Sequence, residues 1–320
     1  MECVAAVERA VAAVERAAAG VAAEILVVDD GSPDARYEGL AARAVRVLRL
    51  PKQAGPGAAR NAGAAHARAE LLLFVDSDVL LHADAIEKLL ARFATNQAVD
   101  AWFGSYDAAP RAPGLVSQYR NLLHHYTHQH AAPEASTFWA GCGAVRREAF
   151  EAVGGFDEGP NAIAIEDIEL GTRLIAAGHR IRVDPSIQGT HLKRWTLASM
   201  VKTDVWGRAI PWARLILRRG DLPNDLNVSR RQRLCVAATG VGVLSALGAP
   251  WSAAAGATAL ASLGLVLALN TGWLRFLVRE RGLAFALGAI PLQLLYHLYS
   301  GASFAYAWIE RALGFGRASD

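Results

Sequence analysis

Residues 71–79 read Leu71-Leu72-Leu73-Phe74-Val75-Asp76-Ser77-Asp78-Val79. Five apolar residues without polar alternation describe a strand buried on both faces. That strand ends on two carboxylates one residue apart. Upstream the pattern repeats: Glu24-Ile25-Leu26-Val27-Val28 stops at Asp29-Asp30-Gly31-Ser32-Pro33, a turn signal. Residues 35–43 suit a helix and 45–50 a further strand. Gly55-Pro56-Gly57 opens a helix running to about Ala69, and another helix is expected near 83–94. Strand alternating with helix implies an α/β domain with a mostly parallel sheet and helices on both faces. Ligands in such sheets bind beyond the carboxyl ends of the strands, where both acidic clusters fall.

Past residue 100 the pattern loosens into loops rich in Pro, Gly and His. A helix near 146–153 leads to Gly154-Gly155-Phe156-Asp157, and one over about 166–177 ends at Gly178. Residues 196–218 read as an interfacial amphipathic helix kinked at Pro211, with Trp206 and Trp212 among Lys202, Arg208, Arg214 and Arg218. Apolar spans follow at about 234–250, 252–270 and 283–309. The expected organisation is a catalytic-type domain over 1–195, an interfacial segment over 196–230 and C-terminal transmembrane helices over 231–320.

Composition agrees. With 53% hydrophobic and 20% charged residues in 320, the chain is not disordered. Its mean hydropathy of +0.20 reflects the tail. A net charge of +3 falls short of a nucleic-acid footprint. Basic residues cluster where they would meet anionic lipid, at Arg214, Arg218, Arg219, Arg230, Arg231 and Arg233. Cys3, Cys142 and Cys235 lie far apart and fit a reducing compartment. The first twenty residues read as an amphipathic helix, with no signal-peptide pattern.

Five places carry candidate chemistry. Asp29 and Asp30, at a strand's open end, can accept hydrogen bonds from a ring nitrogen or ribose; an Asp-Gly turn explains them equally well. Asp76 and Asp78 suit a hard divalent cation that keeps positions open for phosphate oxygens. Arg60, in Gly55–Gly63 at a helix start, can pair with a phosphate or a base or simply be an exposed arginine. Glu166 and Asp167 begin a helix, where the dipole is expected to lower the Asp167 pKa and keep it ionised as a base. His191 can ligate a metal, and Lys193-Arg194-Trp195 can face a departing diphosphate or the membrane. A further group, His124, His125, His128 and His130, lacks nearby acidic or cysteine partners apart from Glu134. It reads as a solvated helix face rather than a zinc site.

Taken together in order and spacing, VVDDGSPD (27–34), PGAARNAG (56–63), FVDSDV (74–79), RREAFEAVGGFDE (146–158) and EDIELGTRL (166–174) resemble the family 2 glycosyltransferases. The likeness covers about residues 20–195 and implies a GT-A fold, a nucleotide-sugar donor and Mg2+ or Mn2+. It implies base recognition by Asp29 or Asp30, nucleotide positioning by Arg60, ribose or metal contact by Asp76, metal binding by Asp78 and a catalytic base at Asp167. Glu166 joins the donor site in this reading. His191-Leu192-Lys193-Arg194-Trp195 is similar to the Gln-x-x-Arg-Trp motif of processive polysaccharide synthases, with His in place of Gln, which extends the site to His191, Arg194 and Trp195. The family normally begins with an apolar strand ending in a Pro-x-Tyr-Asn-like turn beside the Asp-Asp strand. This sequence begins in what corresponds to the next helix, so an unpaired strand edge is expected there.

The expected function is inverting transfer to a lipid-linked or surface-glycan acceptor, with membrane lipids as partners and no role for nucleic acid. Its rivals are a polyprenyl-phosphate glycosyl synthase and a non-catalytic membrane scaffold built on the fold. The positive-inside rule places the catalytic domain on the cytosolic face of the cytoplasmic membrane, with a multi-pass tail of two or three crossings.

Overall fold

The computed structural model describes residues 1–17, 22–33, 40, 45–159, 164–220 and 222–314. The helix expected at 35–43 lies almost wholly outside them. The chain divides into two compact units: Met1–Arg111 with Thr127–Lys193, and Ala112–Tyr126 with Arg194–Asp320.

The first unit holds seven described strands: β1 (Leu26–Asp29), β2 (Arg46–Arg49), β3 (Leu71–Val75), β4 (Val79–Leu81), β5 (Ala101–Tyr106), β6 (Cys142–Arg146) and β7 (Ile181–His191). Its helices are α1 (Glu2–Ala17), α2 (Pro56–His66), α3 (Ala85–Thr95), the end of α4 (Leu115–Gln129), α5 (Arg147–Ala152) and α6 (Glu166–Ala176). β1 and β2 form a two-stranded parallel sheet, and the other strands form a five-stranded sheet in the order β3-β6-β5-β7-β4.

The α/β class holds, but the strand directions correct the expectation of a mostly parallel sheet. In the larger sheet only β5 and β7 run parallel, while β3–β6, β5–β6 and β4–β7 are antiparallel. An unbroken apolar run reports burial on both faces, not direction. Here helices cover both faces, so β6 is as buried as any parallel strand. Among the described residues β1 pairs with β2 and β3 with β6, and β1 and β3 fall in separate sheets.

Period-two alternation distributes the core. Leu72, Phe74, Phe103, Val145, Ile181 and Val183 point to one side, against Phe150, Phe156, Leu170 and Leu174 from α5, α6 and their linker. Leu71, Leu73, Trp102, Cys142 and Ile187 point to the other, against Ala10 of α1 and Leu89 and Phe93 of α3. The sheet is thereby held between helices, with the loop Asp76–Asp78 between β3 and β4 at its rim.

The second unit contains the first twelve residues of α4, then α7 (Leu197–Lys202), a π-helix (Thr203–Ala209), α8 (Ile210–Arg219), a 3-10 turn, α9 (Arg230–Gly248), α10 (Ala253–Leu269), α11 (Thr271–Arg281) and α12 (Leu283–Ala312). The irregularity expected at Pro211 takes the form of the π-helix immediately before it, and Pro211 occupies the first turn of α8. Among the described helices α12 alone is long and apolar enough to cross a membrane. α10 and α11 qualify only together, and they are bent by 64°.

Helix α6 is fitted to the loop before β6 through a glycine. A Cβ on Gly171 would lie 2.1 Å from the Phe138 amide nitrogen, so no side chain fits without moving α6 away from residues 137–138. Gly171→Ala is expected to destabilise the protein by about 1–3 kcal/mol, read as a lower midpoint in urea denaturation.

Candidate active site

Helix α2 organises the acidic rim. Asp30 accepts from the Ala54 amide at 2.7 Å and the Gly55 amide at 2.8 Å, which fixes the approach to the helix. Asp29, at the end of β1, accepts from the Ser32 amide at 3.0 Å; the Ser32 side chain and then this amide hold its carboxyl below the ordinary range. Gly31 has φ of +68°, and a Cβ there would sit 2.7 Å from the Gln53 amide nitrogen. The Asp-Asp-Gly turn is thus packed onto the loop that starts α2, and glycine is the residue that permits it.

From the same helix Arg60 bridges two carboxylates. One guanidinium nitrogen lies 2.7 Å from Asp76 and another 2.6 Å from Glu166, with the Phe156 ring 5.3 Å from its centre. Burial works against its charge, but Asp76 and Glu166 outweigh that and hold the proton more tightly than usual. Arg60 is therefore neither an exposed arginine nor an open phosphate ligand; it is the counter-charge of the site. The neighbouring Asn61 clamps the Gly-Gly-Phe-Asp loop, exchanging 2.8 Å hydrogen bonds with both the amide and the carbonyl of Phe156.

Glu166 and Asp167 begin α6. Glu166 is buried, and its second oxygen has no hydrogen-bond partner among the described residues. Such an oxygen is costly unless a ligand donates to it. Asp167 accepts from its own helix at the Ile168 amide, 2.8 Å, and at long range from the Ala140 amide, 3.4 Å. The dipole argument fails here. Burial raises the Asp167 pKa to about 7, Glu166 and Asp76 add to the rise, and Arg60 only partly offsets it. The helix terminus is a weaker influence than burial beside two other carboxylates.

On the other side of Ser77, Asp78 lies 3.4 Å from the His191 imidazole at the end of β7. Burial pushes the Asp78 carboxyl up, but His191 and Lys193 outweigh it and leave it below the ordinary range. Tyr106 stacks on His191 at 4.2 Å, and Trp139 stands edge-on to Tyr106 at 4.8 Å. Asp78 and His191 offer a cation one carboxylate oxygen and one ring nitrogen, and no third protein ligand joins them among the described residues. Two protein ligands suit an ion that completes its shell with phosphate oxygens and water.

Asp29, Asp30, Arg60, Asp76, Asp78, Glu166, Asp167 and His191 all belong to the first unit. Arg194 and Trp195 belong to the second. There Trp195 is buried, its amide donates to Ser117 Oγ at 3.1 Å, and the Arg120 guanidinium covers its ring. The histidine group is no solvated face: His128 is buried with Nδ1 3.0 Å from the Gly104 carbonyl, and His125 is buried and stacked on Phe276. Sequence reading missed Asn61, Tyr106 and Trp139. Only Asn61 sits in a quoted motif; the aromatic pair comes from segments distant in sequence.

Two family sequence models match the chain: glycosyl transferase family 2 over residues 2–154, and the galactosyltransferase domain model described as "N-terminal domain of galactosyltransferase" over 120–194. Over residues 2–154 the chain is similar to the family 2 glycosyltransferases. The pre-mycofactocin glycosyltransferase of Mycobacterium tuberculosis is 31% identical over 207 residues, which are 59% of this chain and 42% of that protein. A dolichyl-phosphate beta-glucosyltransferase of Trichomonas vaginalis is 44% identical over 71 residues, 21% of each chain. The alignment therefore spans less than half the length of the first of these relatives. Among solved structures, a mannosyltransferase from Pyrobaculum calidifontis in complex with GDP-Man and Mn2+ shares the GT-A fold, with a TM-score of 0.51 and 19% identity over 88% of this chain and 78% of that one.

Arg60→Met leaves Asp76 and Glu166 without their shared cation. A stability loss of about 3 kcal/mol is expected, as for other broken buried ion pairs, measured by chemical denaturation at pH 7.

Proposed function

We propose that the chain transfers a sugar from a nucleotide-sugar donor to a hydroxyl acceptor with inversion, at the cytosolic face of the cytoplasmic membrane, within a catalytic domain of about residues 1–195. The observation that carries the reading is the Arg60–Asp76–Glu166 cluster with Asp167 beside it: three carboxylates and one guanidinium assembled from a strand end and two helices. The match to the family 2 model supports the donor class. The acceptor is a lipid-linked or surface glycan, a proposal that rests on the apolar second unit.

In this mechanism Asp167 takes the proton of the acceptor hydroxyl. The acceptor oxygen bonds to the anomeric carbon, the bond from that carbon to the diphosphate oxygen breaks, and the nucleoside diphosphate leaves with the electron pair. Asp29 or Asp30 faces the base, Asp76 the ribose, and the unpaired Glu166 oxygen accepts from a donor hydroxyl. Arg60 holds Asp76 and Glu166 in place. Asp78 and His191 would hold Mg2+ or Mn2+, whose charge would offset that of the leaving diphosphate.

A raised pKa suits this base, because a carboxylate near neutrality takes a proton more readily than one near 4. A second reading, transfer to a polyprenyl phosphate, is favoured by the match to the dolichyl-phosphate enzyme. That acceptor needs no base, so one substitution separates the two. Asp167→Asn should lower turnover about 10²–10⁴-fold with donor affinity, followed by calorimetry, retained. Near wild-type turnover would favour the phosphate acceptor.

The pH profile carries a sign as well. The active form is ionised, so the rate is expected to fall as pH drops through about 7 and to level off above it. A profile flat from pH 5 to 8 would place the base elsewhere. Exhaustive chelation should abolish transfer, and added Mn2+ or Mg2+ should restore it; full activity in the chelated enzyme would remove the cation from Asp78 and His191.

A further inference from the structure

From Leu234 to Leu274 the sequence carries no Asp, Glu, Lys or Arg. These 41 residues form most of α9, the turn at Pro250 and the whole of α10. In the first part of α9, Cys235, Ala238 and Thr239 are buried. From Val241 to Leu265 no residue is buried, and Leu244, Leu247, Trp251 and Leu260 are 67–85% exposed. Small residues line part of the seam between the two helices: a Cβ on Gly242 would meet Ser262, and one on Gly248 would meet Ala255. A hairpin apolar on every outward face is not at equilibrium with water. Small-residue seams are how helices pack where the surroundings are already apolar.

Its length decides how far it reaches. The exposed stretch of α10, residues 253–265, rises about 20 Å, and that of α9, residues 241–248, about 12 Å. Bilayer hydrocarbon is about 30 Å thick. The hairpin enters one leaflet and turns back.

Helix α12 is long enough to cross, at about 45 Å, but its partners run beside it for its whole length. Arg281, just before it, donates to Gln118 at 2.9 Å; Gln293 accepts from Tyr119 at 2.9 Å. Tyr299 donates to Asp204 at 2.6 Å, itself paired with Arg120, and Glu310 receives two bonds from Arg214 at 2.7 and 2.8 Å. Asp204 to Arg214 is ten residues and Tyr299 to Glu310 eleven, so the π-helix and α8 lie alongside α12 in the same direction. That neighbouring run also carries exposed Lys202, Arg218 and Arg219. A crossing α12 would draw Lys202 and the Arg120–Asp204 pair, which lie beside its middle, into the hydrocarbon, where charge is strongly disfavoured.

We propose that the second unit is a one-sided anchor for an anionic phospholipid bilayer, the α9–α10 hairpin dipping into one leaflet and α12 lying along its surface, in place of a multi-pass tail. The exposed arginines and lysine pair with lipid phosphates, and the occupant of the hairpin's outer face is acyl chain. The inference rests on the membrane association proposed above and is independent of the transfer chemistry.

The test uses the full chain in membrane vesicles of both orientations, right-side-out and inverted, with a membrane-impermeant maleimide; the three native cysteines are buried. Arg279→Cys and Arg311→Cys bracket α12 and should label from the same side. Ser252→Cys, at the hairpin tip, should label from neither. Labelling of the two arginine positions from opposite sides, or of position 252 from the side opposite Arg279→Cys, would overturn the one-sided anchor. Recovery of the protein in the soluble fraction with position 252 reactive would overturn membrane association itself and leave the transfer reading standing. Independently, Leu244→Asp with Leu260→Asp should weaken binding to phosphatidylcholine vesicles carrying about one-third phosphatidylglycerol by about ten-fold or more. Unchanged binding would remove the hairpin as the anchor.

Discussion

The guanidinium of Arg60 is the constraint on which the site depends. Asp76 closes a sheet strand and Glu166 opens a helix, far apart in sequence, and the guanidinium between them is the cation that both carboxylates share. Arg60 supplies it from α2, whose own start is fixed by Asp30 and whose next residue, Asn61, secures the loop leading to α6. One helix thus sets the relative positions of two acidic motifs. Asp167 is left beside this cluster, where burial first and then the Glu166 and Asp76 charges raise its carboxyl to about 7, against a partial offset from Arg60.

This arrangement explains why the motifs are informative together and weak singly. Asp-x-Asp, Gly-Pro-Gly and Glu-Asp each occur for local reasons such as turns and caps. Joined, they form one electrostatic unit in which each group's protonation depends on the others. The same interdependence makes the Gly171 packing important, because α6 must approach residues 137–140 closely to bring Asp167 near the Ala140 amide.

Much of the fold was legible. Buried runs marked the strands, and the acidic clusters fell at strand ends because the carboxyl edge of a sheet is where polar groups can face a ligand. Strand direction was not legible: β6, Cys142–Arg146, is apolar because helices cover both faces, and nothing in its composition says it runs against β3 and β5. Charge state was not legible either. A helix start suggested a lowered pKa for Asp167, but the neighbours that raise it arrive from other segments. Likewise the histidines of α4 looked solvated in one dimension; packing buries His128 against Gly104 and His125 against Phe276. Hydropathy located the apolar tail correctly but could not show that its long helix has charged helices beside it.

The central claim, a single displacement driven by Asp167, is tested most directly by the anomeric configuration of the product. Proton NMR of the transferred sugar should show the configuration opposite to that in the donor, from the first turnovers onward. Retention of the donor's configuration would require a different mechanism and would contradict the role assigned to Asp167.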